Sequence, residues 1–402
     1  MRYAGISWSI SNLETVQRSR GPEPRREEGM SNSKPVSSPR THFRADVIGS
    51  MLRPDYLLAA RAIYAEGRMP PDEFKKIEDR AVDDCVALQE RVGVDVITDG
   101  EMRRNVFASQ LVQATEGFES IAGNSVDWFD MQGRLQRSPV TVALVGKIRR
   151  KRHLSAEEFV YLRASTKLPI KVTLPSPTMY AYYWVPGVSD AAYPSVDAYM
   201  ADVTDILRDE VAELIRLGAQ YIQIDAPEFG MLIDDHQRAW FAAKGFDPDR
   251  MIHEGVDLIN SLLEGDGATF GLHICRGNDA NRYMARGAYD RIGAEVFPRV
   301  RAERLLLEYD DDRSGDFTAL GMVPEGKVVV LGLVSTKNAN VEKAEDLSAR
   351  ILAASRYVPL ERLALSPQCG FASVARGNAL GLDAEEKKLR IVAEVARQIW
   401  KD

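Results

Sequence analysis

Residues 203–227 read VTDILRDEVAELIRLGAQYIQIDAP. In 203–217 the apolar Ile206, Val211, Leu214 and Ile215 fall on one face of a helix, Gly218 marks a turn, and 221–224 is a short β-prone run. An acid, Asp225, stands where that run ends. The same alternation runs outward in both directions. Helical spacing recurs over 75–91, where Ile77, Ala81, Val82, Cys85 and Leu88 share a face. Short strand-like runs are read at 46–49, 94–98, 170–174, 221–224, 270–274, 304–308, 328–333 and 363–365. Eight strand-helix units favour an α/β fold of the closed (βα)8 TIM-barrel kind over an open sheet, and no G-x-G-x-x-G or Walker loop follows any strand. Residues 117–168 are too long for one crossover and rich in Arg and Lys, so an insertion is expected between strands two and three.

Residues 1–41 carry Gly, Pro and paired charges with no sustained apolar period, and are expected to form a disordered tail ahead of a barrel over 42–402. Composition is that of a globular chain: 45% hydrophobic and 28% charged, which excludes global disorder and a disulfide scaffold. With 52 basic and 59 acidic residues the net charge is -7, which argues against nucleic acid or an anionic membrane as the main partner. A small molecule is the expected partner. Three cysteines, no signal-peptide core and no apolar run near the ~18 to 20 residues of a span favour a cytoplasmic protein with free thiols.

Barrel enzymes assemble their sites from the C-terminal ends of the strands, and here those ends are chemically loaded. His273 and Cys275 lie two residues apart, so the period of a strand sends both to one side. Alone, this pair is more commonly a buried structural cysteine beside a hydrogen-bonded histidine; its place at a strand end, with a second cysteine similarly placed, reverses that reading. Cys369 after strand eight and Glu308 at the end of strand six supply two further donors, and two sulfurs, a nitrogen and an oxygen suit tetrahedral zinc. Cys85, on the apolar face of a helix, reads as core. Ser50, Glu101 and Asp225 form a second group able to hold a substrate's ammonium and carboxylate, although each also reads singly as a cap, turn or salt-bridge residue. The aromatic run 180–184, with Tyr183, is either rim packing or a platform for a flat ligand. His42, His153, His236 and His253 have no partner spacing and read as surface or structural.

Taken in order, Val47-Ile48-Gly49-Ser50, Asp99-Gly100-Glu101, Gln223-Ile224-Asp225-Ala226-Pro227, His273-Ile274-Cys275, Glu308 and Ser366-Pro367-Gln368-Cys369-Gly370 resemble the catalytic barrel of the cobalamin-independent methionine synthases, within the superfamily that includes uroporphyrinogen decarboxylase. The resemblance covers about residues 43–400. It implies that His273, Cys275, Glu308 and Cys369 bind zinc, and that Ser50, Glu101 and Asp225 hold the amino-acid part of homocysteine. It also implies that Tyr183 stands where the family stacks a tryptophan on folate.

Two departures bear on the alkyl donor. Val334 stands where the family has a candidate proton-donating histidine, which leaves Lys337 as the nearest acid, and Ala226 replaces a family glutamate. The donor is therefore open between methylfolate and a corrinoid methyl carrier. Three readings follow: a homocysteine methyltransferase; a relative that alkylates another thiol, as the epoxyalkane:coenzyme M transferases do; and a non-catalytic zinc-binding scaffold. Coenzyme M would need cations for its sulfonate, and Arg53, Arg103, Arg104 and Arg276 are the candidates.

Overall fold

The computed structural model describes residues 43–401 except 123 and 266, so the expected tail lies outside the described residues. Ten strands are named in chain order: β1 (Thr115–Ser120), β2 (Ser125–Phe129), β3 (Leu135–Pro139), β4 (Val142–Arg150), β5 (Val172–Pro175), β6 (Tyr221–Asp225), β7 (Thr269–Ile274), β8 (Arg304–Glu308), β9 (Val328–Val334) and β10 (Leu363–Pro367). Strands β5 to β10 form a parallel sheet in sequence order, each step crossing over through helix. All six are buried along their whole length apart from a partly buried first residue in β7, as expected of a sheet covered on both faces.

Two extended segments complete the ring. The segment around Ala45 pairs in parallel with Leu365 of β10, and Asp95 N donates to Ala45 O at 2.9 Å. Ile97 pairs in parallel with Ile170, and Lys171 N donates to Ile97 O at 2.9 Å, which joins the ring to β5. The strands expected at 46–49 and 94–98 are thus present as extended chain with single bridges rather than regular ladders. Side chains have taken over part of the pairing. Asp95 Oδ2 accepts from Arg44 N at 2.7 Å and Ala45 N at 2.8 Å, and Gln89 Oε1 accepts from Thr98 N at 3.0 Å.

The helix Val196–Arg216 begins at Ser195, whose hydroxyl accepts from Ala198 N, and it buries Tyr199, Val203, Leu207, Val211 and Leu214 against the sheet. Each fully buried Leu or Val stabilises the fold by roughly 1.5 to 3 kcal/mol relative to exposure. The helix Pro71–Val92 starts on a proline and stops at Gly93, whose φ of 80° lies in the left-handed region; Cys85 is buried on its inner face.

The insertion is real and wholly antiparallel: β1 pairs with β4 and β2 with β3, before the helix Ala156–Ser165 resumes the crossover. Its β2–β3 hairpin docks on the loop after β7, where Phe129 N donates to Tyr283 O at 2.7 Å and Tyr283 N to Phe129 O at 3.0 Å. The barrel interior carries a buried ionic cluster as well as apolar layers. Asp46 meets Lys171 at 2.8 Å and Arg304 at 3.2 Å and accepts from Tyr221 OH at 3.0 Å. Burial pushes the Asp46 carboxyl up, and the two cations more than reverse this, holding it below the usual carboxylate range.

Candidate active site

His273 leaves the end of β7 with Nδ1 3.1 Å from Leu306 O, which fixes the ring and leaves Nε2 buried without a hydrogen-bond partner. Cys275, on the same side of the chain, and Cys369, in the loop after β10, bring their sulfurs to it. One ligand atom from each of the three lies within 4.8 Å of the others, and all three residues are buried. The cysteines are free thiols. Donation from Cys275 and the neighbouring His273 pull the Cys369 thiol well below its ordinary range, while that same hydrogen bond and burial push Cys275 up. Burial disfavours the imidazolium of His273, and its interaction with the nearby Cys369 sulfur, with the charge of Asp225, outweighs that and raises its pKa. An orphaned imidazole nitrogen between two sulfurs is a set that could hold a metal ion.

Glu308 stands outside that 4.8 Å group. Its Oε2 accepts from Arg276 N at 2.7 Å, and its Oε1 faces Arg313 at 3.3 Å and Lys337 at 3.7 Å without a hydrogen bond to either. Burial opposes ionisation of this carboxyl, but Lys337, Arg313 and Arg276 together hold its pKa down. Lys337 is itself buried, and its Nζ has no hydrogen-bond partner.

The acids assemble beside this group. Asp225 Oδ1 accepts from Gln223 Nε2 at 2.7 Å. Burial, helped by the charges of Glu101 and Cys369 and opposed by His273, raises the Asp225 carboxyl to about 7, so both sets of residues act on one space. Glu101 sits in a turn at φ 54°, strained for a residue with a side chain. Its Oε1 accepts from Thr173 Oγ1 at 2.8 Å and meets Arg104 at 3.2 Å, and its Oε2 is buried without a partner. The salt-bridge reading of Glu101 therefore holds in part, as a buried pair with Arg104 rather than a surface one. Two close approaches join the loops: a side chain at Gly370 would run into Ser50 Oγ, and one at Gly49 would come within 2.8 Å of Glu101 Oε1.

Of the aromatic run, Tyr180, Tyr182 and Trp184 are buried, so packing accounts for them. Tyr183 is half-buried, with its ring 5.6 Å from Phe118 of β1 and 5.9 Å from Tyr180. His153, His236 and His253 each face a carboxylate, Glu210, Asp127 and Glu295, away from the site; His42 lies outside the described residues. The four candidate arginines are already engaged within the chain. Arg53 donates to four backbone carbonyls, Arg103 pairs with Asp79, Arg104 with Glu101 and Glu158, and Arg276 donates to Gly287 O and Glu308 O. Sequence reasoning missed the supports Thr173, Arg313 and Gln223, and it placed the Arg104 pair with Glu101 at the surface rather than in the interior. Only Gln223 carried a signal, standing two residues before Asp225 on the same strand face as His273 stands to Cys275.

A parallel α/β barrel that gathers a histidine, two thiols and two acids at the C-terminal ends of its strands has them where barrel enzymes build their sites. Residues 43–397 match the model of the cobalamin-independent synthase catalytic domain, and the chain belongs to that family, as a transferase. It is 32% identical to the uncharacterised protein YxjH of Bacillus subtilis (strain 168) over 89% of this chain and 95% of that one. It is 27% identical to a methionine synthase of Pyrococcus abyssi over 82% and 86% of the two chains. The crystal structure of the putative vitamin-B12 independent methionine synthase from Listeria monocytogenes superposes with a TM-score of 0.65 at 26% identity, covering 90% of this chain and 98% of that one.

Proposed function

We propose that this protein methylates the sulfur of homocysteine to give methionine, with zinc as its resident metal, in the cytoplasm. His273, Cys275 and Cys369 would hold the ion, and Glu308, kept ionised beside Arg313 and Lys337, would offer a further oxygen donor. Bound there, zinc would supply a thiolate from a thiol that is mostly protonated at neutral pH, its pKa being about 8.5. The chain's own residues do the rest. Asp225 and the unpartnered Glu101 Oε2 accept from the substrate ammonium, and Ser50 Oγ donates to its carboxylate. The new S–C bond takes the methyl carbon while the bond from that carbon to its carrier breaks. If the carrier is methylfolate, held against Tyr183, its leaving nitrogen needs a proton, and the buried Lys337 Nζ is the acid available; a corrinoid methyl carrier needs none.

The observation that carries this reading is the buried Glu101 Oε2, left without a hydrogen-bond partner at the strand ends that also carry Asp225, His273 and Cys369. An acid pair suits an ammonium, whereas the sulfonate of coenzyme M finds the four arginines already engaged. Losing one charge-assisted partner costs roughly 1.5 to 3 kcal/mol, so Glu101→Gln should weaken homocysteine binding about ten- to a hundredfold with metal retained. Calorimetric titration of homocysteine and coenzyme M into wild type and Glu101→Gln checks this. Binding of coenzyme M alone, indifferent to the mutation, would replace the homocysteine reading. Indifference of the metal to every thiol would favour a non-catalytic scaffold.

A further inference from the structure

The two cysteines lie in loops more than ninety residues apart in sequence, Cys275 after β7 and Cys369 after β10. Asn278, three residues beyond Cys275, spans the gap. Its Nδ2 donates to Gly370 O, the carbonyl next to Cys369, at 2.7 Å and to Thr336 Oγ1 at 3.0 Å. A backbone carbonyl can only accept, so the amide orientation is fixed. Its Oδ1 accepts from Asn378 Nδ2 at 2.9 Å, and that amide also donates to Thr336 O at 2.8 Å. Thr336, in turn, gives both its N–H, at 2.8 Å, and its hydroxyl, at 2.6 Å, to Gln368 Oε1. Gln368 precedes Cys369 and Thr336 precedes Lys337. Asn278, Thr336 and Gln368 are all buried.

We infer that Asn278 and Thr336 are positioning residues: they lock the loops of Cys275, Lys337 and Cys369 together, hold the two sulfurs at ligand spacing, and thereby set metal affinity. None of these hydrogen bonds uses a ligand atom, so the network is intact before an ion arrives and loses nothing when one does. The buried Asn278 amide and Thr336 hydroxyl have their partners satisfied, with only Gln368 Nε2 of the network left unpaired, and such groups hold one arrangement of the loops rather than several. Groups that orient ligands in this way are typically worth ten- to a hundredfold in metal affinity. The inference rests on the metal-binding part of the reading above.

The test uses the full-length protein stripped of metal and then titrated with zinc against a competing chelator, as wild type, Asn278→Ala and Thr336→Val. Both variants should bind zinc ten- to a hundredfold more weakly, and with cobalt in place of zinc their visible absorption bands should shift or broaden. Melting of the metal-free variants should stay within a few degrees of wild type, while the rise in melting temperature on adding zinc shrinks. Thr336→Val keeps shape and adds no polar group, so it remains informative if Asn278→Ala does not fold. Unchanged zinc affinity and cobalt spectra in the variants, with wild type binding one ion, would overturn the positioning role alone. Wild type binding no zinc would overturn the metal reading and this inference with it.

Discussion

At the scale of single residues the firmest expectation concerns the sulfurs. Cys275→Ser and Cys369→Ser should each lose most bound zinc by elemental analysis, since a serine hydroxyl does not ionise as a thiol does; full occupancy in both would remove the proposed centre. Lys337→Met separates the two donors. With methylfolate the turnover should fall by about 10² to 10⁴, the usual worth of a positioned acid, while homocysteine binding and zinc content stay as they were. Undiminished turnover would take Lys337 out of the reaction. Much of this was legible because the reactive residues sit at strand ends and the period of two reveals which share a side. What was not legible is which charges are already spent. Arg104 reads in sequence as a possible surface partner of Glu101, yet the pair is buried and Arg104 also meets Glu158, 54 residues further on, a pairing that no local pattern announces.

Among the elements, six of the eight barrel strands lie within two residues of their expected bounds, because buried β-branched runs between polar turns carry their own signal. The other two, around Ala45 and Ile97, are blurred because Asp95 and Gln89 side chains take ladder bonds, which backbone propensity does not register. The insertion was visible only by its length. Its content, two antiparallel pairs, was not, since β2 and β3 are short and largely exposed or half-buried. The docking of this hairpin on the loop after β7 yields a prediction. Replacing 125–139 by a short Gly-Ser linker should raise hydrogen exchange across 276–285, the segment that continues from Cys275, while amides of β5 to β10 keep their protection. Unaltered exchange at Tyr283 would show that the hairpin does not brace that loop.

For the molecule as a whole, pH dependence offers a test remote from the site. Glu385, on the helix Leu382–Ile399, is buried; its Oε1 accepts from Leu52 N at 2.8 Å and its Oε2 has no partner. Burial raises its carboxyl to about 8, with the Leu52 amide and Arg53 pulling the other way too weakly to prevent it. The unfolded chain ionises this group near 4.5, so between about 4.5 and 8 the native state holds a proton that the unfolded state has released. Stability from this group is complete below the lower value and declines as pH climbs to the upper one, where the carboxylate must ionise in place. Asp225 and Glu228, both raised to about 7, act in the same direction. Melting temperature should therefore fall from pH 5.5 to pH 8. Glu385→Gln keeps a neutral group of the same shape at every pH, so it should flatten part of that fall, by on the order of a few kcal/mol at the alkaline end and little at the acid end. Parallel melting curves for the two proteins across that range would mean that Glu385 is ionised in the native state, with a partner or water at the oxygen that stands alone here.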